Sequence, residues 1–179
     1  MALPPIFNSF ETDEPFSSCL TCDRALADLD VPHTVSKIYK GAEVVMEYAM
    51  CHPCRMSLSE DFSEESRTAI HNFFNQHVRL TERSLALEGS ESHTDWMRSC
   101  LTCGTIASEV SDYSIAALAF GEQMLFDPFP MMVCSHCEQT IQKQLSKETR
   151  DRWDRFIGEN FDTPPSGALQ PDGGVPVLI

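Results

Sequence analysis

Apolar residues recur along this chain with two different periods, and the same combination is written twice. Ile70, Phe73, Phe74, His77 and Val78 fall at i, i+3, i+4, i+7 and i+8, the spacing of one buried helical face. Trp153, Phe156, Ile157, Asn160 and Phe161 take the same five steps 83 residues later. Ser63 and Ser146 stand where each helix needs an N-cap, with acidic residues in the first turn behind them. Upstream of each helix the pattern changes to that of paired strands. Thr34 to Tyr39 and Val44 to Tyr48 flank Gly41, and Tyr113 to Phe120 and Met124 to Phe126 flank Gly121. Each stretch predicts a β-hairpin.

The repeat extends to the polar punctuation. Ser18-Cys19-Leu20-Thr21-Cys22 returns as Ser99-Cys100-Leu101-Thr102-Cys103, an offset of 81. Cys51-His52-Pro53-Cys54 returns as Cys134-Ser135-His136-Cys137, an offset of 83, which Ser63-Glu64-Glu65-Ser66-Arg67 and Ser146-Lys147-Glu148-Thr149-Arg150 keep. Extra residues near Asp127-Pro128-Phe129-Pro130 account for the change and predict a bulge or bend in the second hairpin. The chain therefore divides into a first unit over 16–80, a polar linker over 81–96, a second unit over 97–162 and a Pro/Gly-rich tail over 163–179.

All eight cysteines belong to this scheme. A C-x-x-C turn sets two thiolates along one edge of a tetrahedron, and a second such turn supplies the opposite edge of a four-sulfur site. The 28 residues between Cys22 and Cys51, and the 30 between Cys103 and Cys134, are enough for a hairpin that leaves and returns. This spacing predicts two tetrahedral Zn²⁺ ions, one per unit. Three other uses of the cysteines share the spacing: iron in a rubredoxin-like site, thiol–disulfide chemistry at Cys51-His52-Pro53-Cys54, and structural disulfides. Ligands could also be exchanged between units or between chains, although closing the shorter local loop favours pairing within a unit.

The order of knuckle, hairpin, second cysteine pair and helix resembles the treble-clef class of zinc-binding units, over Cys19 to about His77 and again over Cys100 to about Asn160. The resemblance implies one ion held by Cys19, Cys22, Cys51 and Cys54 and another held by Cys100, Cys103, Cys134 and Cys137. Treble-clef knuckles often carry a following glycine; Gly104 supplies it in the second unit, and Asp23 stands in its place in the first. The fold expected is α+β, two tandem units packed as one pseudo-symmetric body. The class serves many ends and by itself names no function.

Charge narrows the partners. The formal net charge of −14 repels phosphate backbones and anionic membranes, so nucleic acid and membrane partners are disfavoured and a basic protein partner is favoured. No stretch approaches the roughly 18 apolar residues of a spanning helix, and the N-terminus lacks the pattern of a secretory signal, which makes a cytoplasmic location the expectation. A reducing compartment in turn favours metal over disulfides. Lys143, Lys147, Arg150, Arg152 and Arg155 are interleaved with acids and read as a solvated helix face. His52 and His136 read as exposed loop residues, and His77 as a core residue. The apolar run Ile115 to Phe120, with Met131, Met132 and Val133, predicts that the second hairpin is central and the first nearer an edge, or that this surface forms a homodimer or partner interface. With four thiolates closing each metal site, the function expected is non-enzymatic: an adaptor or regulator acting through protein contacts. The rivals are a nucleic-acid-associated zinc protein and a redox- or zinc-responsive switch.

Overall fold

Both hairpins form, and they share one sheet. In the computed structural model, which describes residues 1–161, β1 (His33–Lys40) and β2 (Glu43–Cys51) make the first hairpin. In the second repeat β3 (Asp112–Phe120) is followed by β4 (Gln123–Leu125) and β5 (Met131–Cys134). The strands are antiparallel in the order β2, β1, β3, with β4 and β5 lying end to end along the far side of β3. β1 and β3 pair along their whole length, from His33 opposite Ala119 to Lys40 opposite Asp112.

This corrects the expectation that the second hairpin is central and the first peripheral. Each hairpin gives its first strand to the centre and its return strand to an edge. β1 is buried despite its polar sequence because it meets its charge across the strand pair: Lys37 sits directly opposite Glu47, Nζ to Oε2 3.0 Å, with the lysine side chain only 4% exposed. Tyr39 and Tyr113, also directly opposite, stack with ring centroids 4.9 Å apart. Ile115, Ala117 and Ala119 of the apolar run are interior to the chain, so they are not a free interface.

The extra residues act where expected. The first hairpin has one register shift, between Ile38 and Tyr39. The second is interrupted between β4 and β5 by Asp127-Pro128-Phe129-Pro130, where two residues have no N–H for the ladder.

The sheet has two occupied faces. Residues 1–16 cross one of them. Met1 and Leu3 hydrogen-bond with Met124 and Glu122, Phe7 is fully buried, and Lys37 reaches the Asn8 carbonyl while Glu47 accepts from the Phe10 amide at 2.7 Å. The other face carries the helices α1 (His52–Glu60), α2 (Glu64–His77), α5 (Ser135–Gln142) and α6 (Lys147–Asn160), which bury Trp153, Phe156 and Ile157. The join holds two further short helices, α3 (Leu80–Ala86) and α4 (His93–Trp96), so part of it is ordered. Arg83 fastens it, donating to the carbonyls of Trp96 and Pro130 and lying 5.1 Å over the buried Trp96 ring.

The repeats meet a second time at the helix starts. Ser63 and Ser146 cap α2 and α6, accepting from the amides of Ser66 and Thr149. Ser63 N–H then donates to Thr149 Oγ1 at 3.0 Å, and Ser146 N–H donates to Ser66 Oγ at 2.9 Å. The two cap hydroxyls are 2.8 Å apart. Each helix thus lends a hydroxyl to the orphan amide of the other, across a pseudo-twofold axis. Phe73 of α2 packs with Ile141 and Leu145 of the second repeat. His77, expected in the core, is exposed, with its ring 4.6 Å from that of Phe73. The tail over 163–179 lies outside the described residues.

Candidate metal centres

The knuckle of each site is a tight backbone turn, made the same way twice. Cys19 N–H donates to the Arg24 carbonyl at 3.0 Å and Asp23 N–H to the Cys19 carbonyl at 3.0 Å. The second knuckle repeats this with Cys100 to Thr105 at 2.8 Å and Gly104 to Cys100 at 2.9 Å. The turn needs a left-handed residue, and both sites supply one: Gly104 has φ of 75° and Asp23 has φ of 55°. Aspartate is among the few non-glycine residues that tolerate this region, so the difference noted in the sequence leaves the turn unchanged. Each knuckle also pairs with an outer strand, Leu20 N–H to Ala49 O at 2.9 Å and Leu101 N–H to Met132 O at 2.8 Å. That fixes both knuckles to the sheet and covers its edges at those points.

The second pair in each site straddles the end of a strand and the start of a helix. Cys51 ends β2 and caps α1, which carries Cys54 in its first turn; Cys134 and Cys137 stand in the same relation to β5 and α5. Because β2 and β5 return beside the knuckles, the four sulfurs converge. Cys19, Cys22, Cys51 and Cys54 form one group and Cys100, Cys103, Cys134 and Cys137 the other, and within each all sulfurs lie within 4.8 Å of one another. Pairing is therefore within each repeat, not exchanged between them.

These groups fit a tetrahedral ion. Four sulfurs at about 2.3 Å from a common centre are about 3.8 Å apart; Cys22 to Cys51 is 3.9 Å and Cys103 to Cys134 is 3.7 Å. A disulfide needs about 2.05 Å, and all eight cysteines are free thiols. Cys51 N–H points at Cys19 Sγ and Cys134 N–H at Cys100 Sγ, both at 3.4 Å, the amide–sulfur contact that a thiolate accepts. Four thiols this close cannot all ionise without a cation among them, so the donor set suits a metal.

The sulfurs differ in their surroundings. Arg24 Nε donates to Cys22 Sγ at 3.4 Å and holds that thiol down to about 6, against a smaller opposing effect of burial. At Cys103 burial opposes most strongly, but the hydroxyl and amide of Thr105 together with hydrogen bonds from Cys100 and Cys137 outweigh it, and the thiol again falls to about 6. Burial pushes Cys54 and Cys137 well up, and Cys134 up to about 11. Arg24 and Thr105 were not singled out in the sequence, although both stand two residues beyond a knuckle cysteine.

Another pair of positions also escaped notice. Arg55 and Glu138 follow Cys54 and Cys137 directly. Arg55 donates to Thr34 Oγ1 at 3.3 Å, and Ser114 donates to Glu138 Oε1. Burial raises the Glu138 carboxyl to about 8, while the Ser114 hydroxyl opposes the shift. The charges at these matched positions are opposite in sign and give no periodic signal. His52 and His136 are exposed and stand outside both sulfur groups. Within the basic run, Lys147 pairs with Asp151 and Arg152 with Asp61 of the first repeat.

No protein-family model, no curated protein and no solved structure matches the chain. Among the described residues no helix is long and apolar enough to cross a membrane.

Proposed function

We propose that the chain is a cytoplasmic, non-enzymatic protein whose two ions are structural zinc held in treble-clef-like units, and that it acts as an adaptor or regulator through protein–protein contacts. The observation that carries this reading is the closure of both sites: four sulfurs within 4.8 Å of one another fill every tetrahedral position. A zinc ion so enclosed keeps no place for a water or substrate and contributes folding free energy instead. The repeats benefit from it, since each joins a short hairpin to short helices through its cysteines. The partner chemistry expected is basic, from the net charge of −14, with a second copy of this chain as the alternative.

Four measurements test this. Elemental analysis of purified protein is expected to give two zinc ions per chain; iron with visible thiolate-to-iron absorption would replace zinc in the account. Light scattering across a concentration series separates monomer from homodimer. A salt series of mobility shifts with DNA and RNA is expected to show no binding; binding that weakens steeply with salt would favour the nucleic-acid reading. For the adaptor role, crosslinking in native lysate is expected to capture proteins with basic surfaces in a manner lost when the metal is chelated.

A further inference from the structure

We infer that Cys103 is a modification site, the thiolate at which small neutral oxidants and electrophiles enter the second metal centre and release its ion while the first centre keeps its own. The inference rests on the reading that both groups hold zinc, and it assigns them different chemistry.

Three observations carry it. First, Cys103 is the one exposed cysteine of the eight; its three companions are buried, whereas in the first site Cys22 and Cys54 share an intermediate exposure. Access to the second centre is therefore concentrated in a single sulfur. Second, the partners differ at matched positions. Cys22 receives an N–H from a guanidinium and Cys103 faces a neutral hydroxyl, Thr105 Oγ1 at 3.2 Å. A metal-bound sulfur has already lost its proton, so a neighbouring cation no longer changes how much thiolate is present. It draws on the lone pair and makes the sulfur a poorer nucleophile, and a charged donor does so about twice as strongly as a neutral one. Third, a cleft of about 380 Å³ opens beside the second site and is lined by both Cys103 and Cys134. Glu109 and Asp112 stand in its wall, which disfavours anionic reagents and admits neutral ones such as hydrogen peroxide.

The chemistry closes without further reactants. The Cys103 thiolate attacks one oxygen of peroxide; an S–O bond forms, the O–O bond breaks and hydroxide leaves, giving a sulfenic acid. Cys134, whose sulfur is 3.7 Å from that of Cys103 and lines the same cleft, attacks the oxidised sulfur. An S–S bond forms, the S–O bond breaks and a second hydroxide leaves. Two thiolates have given two electrons to one peroxide, and the loss of both from the shell releases the ion.

The test uses the zinc-loaded full chain. Peroxide is added, released zinc is followed with a chromophoric chelator, and the cysteines are mapped by mass spectrometry after quenching with N-ethylmaleimide. One ion is expected to leave several-fold sooner than the other, with Cys103–Cys134 as the first disulfide. Thr105→Arg is expected to slow the fast release, and Arg24→Thr to hasten the slow one, neither change touching a ligand. Iodoacetamide is expected to label Cys103 several-fold faster than iodoacetate does. Release of both ions at one rate, a first disulfide that includes Cys22, or no response to Thr105→Arg would overturn the assignment. If the purified chain carries no zinc, the structural-zinc reading falls by itself. The metal-release part of the assignment falls with it, and iodoacetamide mapping decides the remainder: Cys103 labelled first keeps it as the modification site, and any other cysteine first removes that too.

Discussion

The first repeat returns to its metal site along one unbroken strand, β2, while the second returns along two, β4 and β5, with a proline-containing interruption between them. The first knuckle turns through an aspartate and sets an arginine against its sulfur; the second turns through glycine and sets a threonine there. The cysteine groups nonetheless have the same construction, down to the amide–sulfur contacts at 3.4 Å. Backbone hydrogen bonds, cysteine placement and the knuckle-to-strand pairing were enough to keep it. What diverged is what each sulfur faces and how far solvent reaches it. The repeats agree in the sulfur geometry that a tetrahedral ion would need and differ in the outer strand and in the surroundings of each sulfur.

The comparison breaks most severely if a ligand is lost. Cys137→Ser is expected to reduce bound zinc from two ions per chain to one. Because β1 and β3 pair along their whole length, the two repeats share a sheet. The loss should therefore lower the stability of the whole body in one cooperative transition, seen as a single calorimetric peak. Two separated peaks would mean that the repeats fold independently.

The next largest effect falls on the polar first hairpin. Lys37→Met leaves Glu47 without its cation at a largely buried position and is expected to cost about 3 kcal/mol by denaturant unfolding. Combining it with Glu47→Leu should recover much of that cost, since removing both members of a buried pair is often close to neutral. A double variant as unstable as the single would show that Glu47 matters mainly for holding the Ser9 hydroxyl and Phe10 amide.

The helix starts sharpen the symmetry itself. Thr149→Val orphans the Ser63 amide and Ser66→Ala orphans the Ser146 amide. Each is expected to cost about 1–3 kcal/mol, with similar values for the two. A large inequality would locate the weaker half of the contact. The smallest effect is at the knuckles. Asp23→Gly relieves a positive φ of 55° and is expected to stabilise by up to about 1 kcal/mol, whereas Gly104→Ala, at φ of 75°, should destabilise by about the same amount, both read from thermal melts.

The cysteine spacing, the duplication, the two capped helices and the position of the extra residues were all legible in the chain, because each depends on local order or on a fixed period. The sheet order was not. Alternation along a strand says which residues share a face and not which strand lies alongside, and the lysines and tyrosine of β1 made a central strand resemble an edge. The N-terminal crossing was hidden for a similar reason: two buried residues, Pro4 and Phe7, carry no period. Glu138 was missed because a lone buried carboxyl beside a cysteine has no pattern until Ser114 is seen to face it.

The sequence by itself determined that eight thiols fall into two matched sets, since C-x-x-C spacing is a property of a single turn and its recurrence can be counted. Only the tertiary structure decided that the sets stay within their repeats, that the hairpins merge through β1 and β3, and that Cys103 alone among the eight cysteines stands open to solvent. Those outcomes depend on contacts between residues far apart in the chain, where packing and charge pairing, and no local periodicity, choose the neighbour.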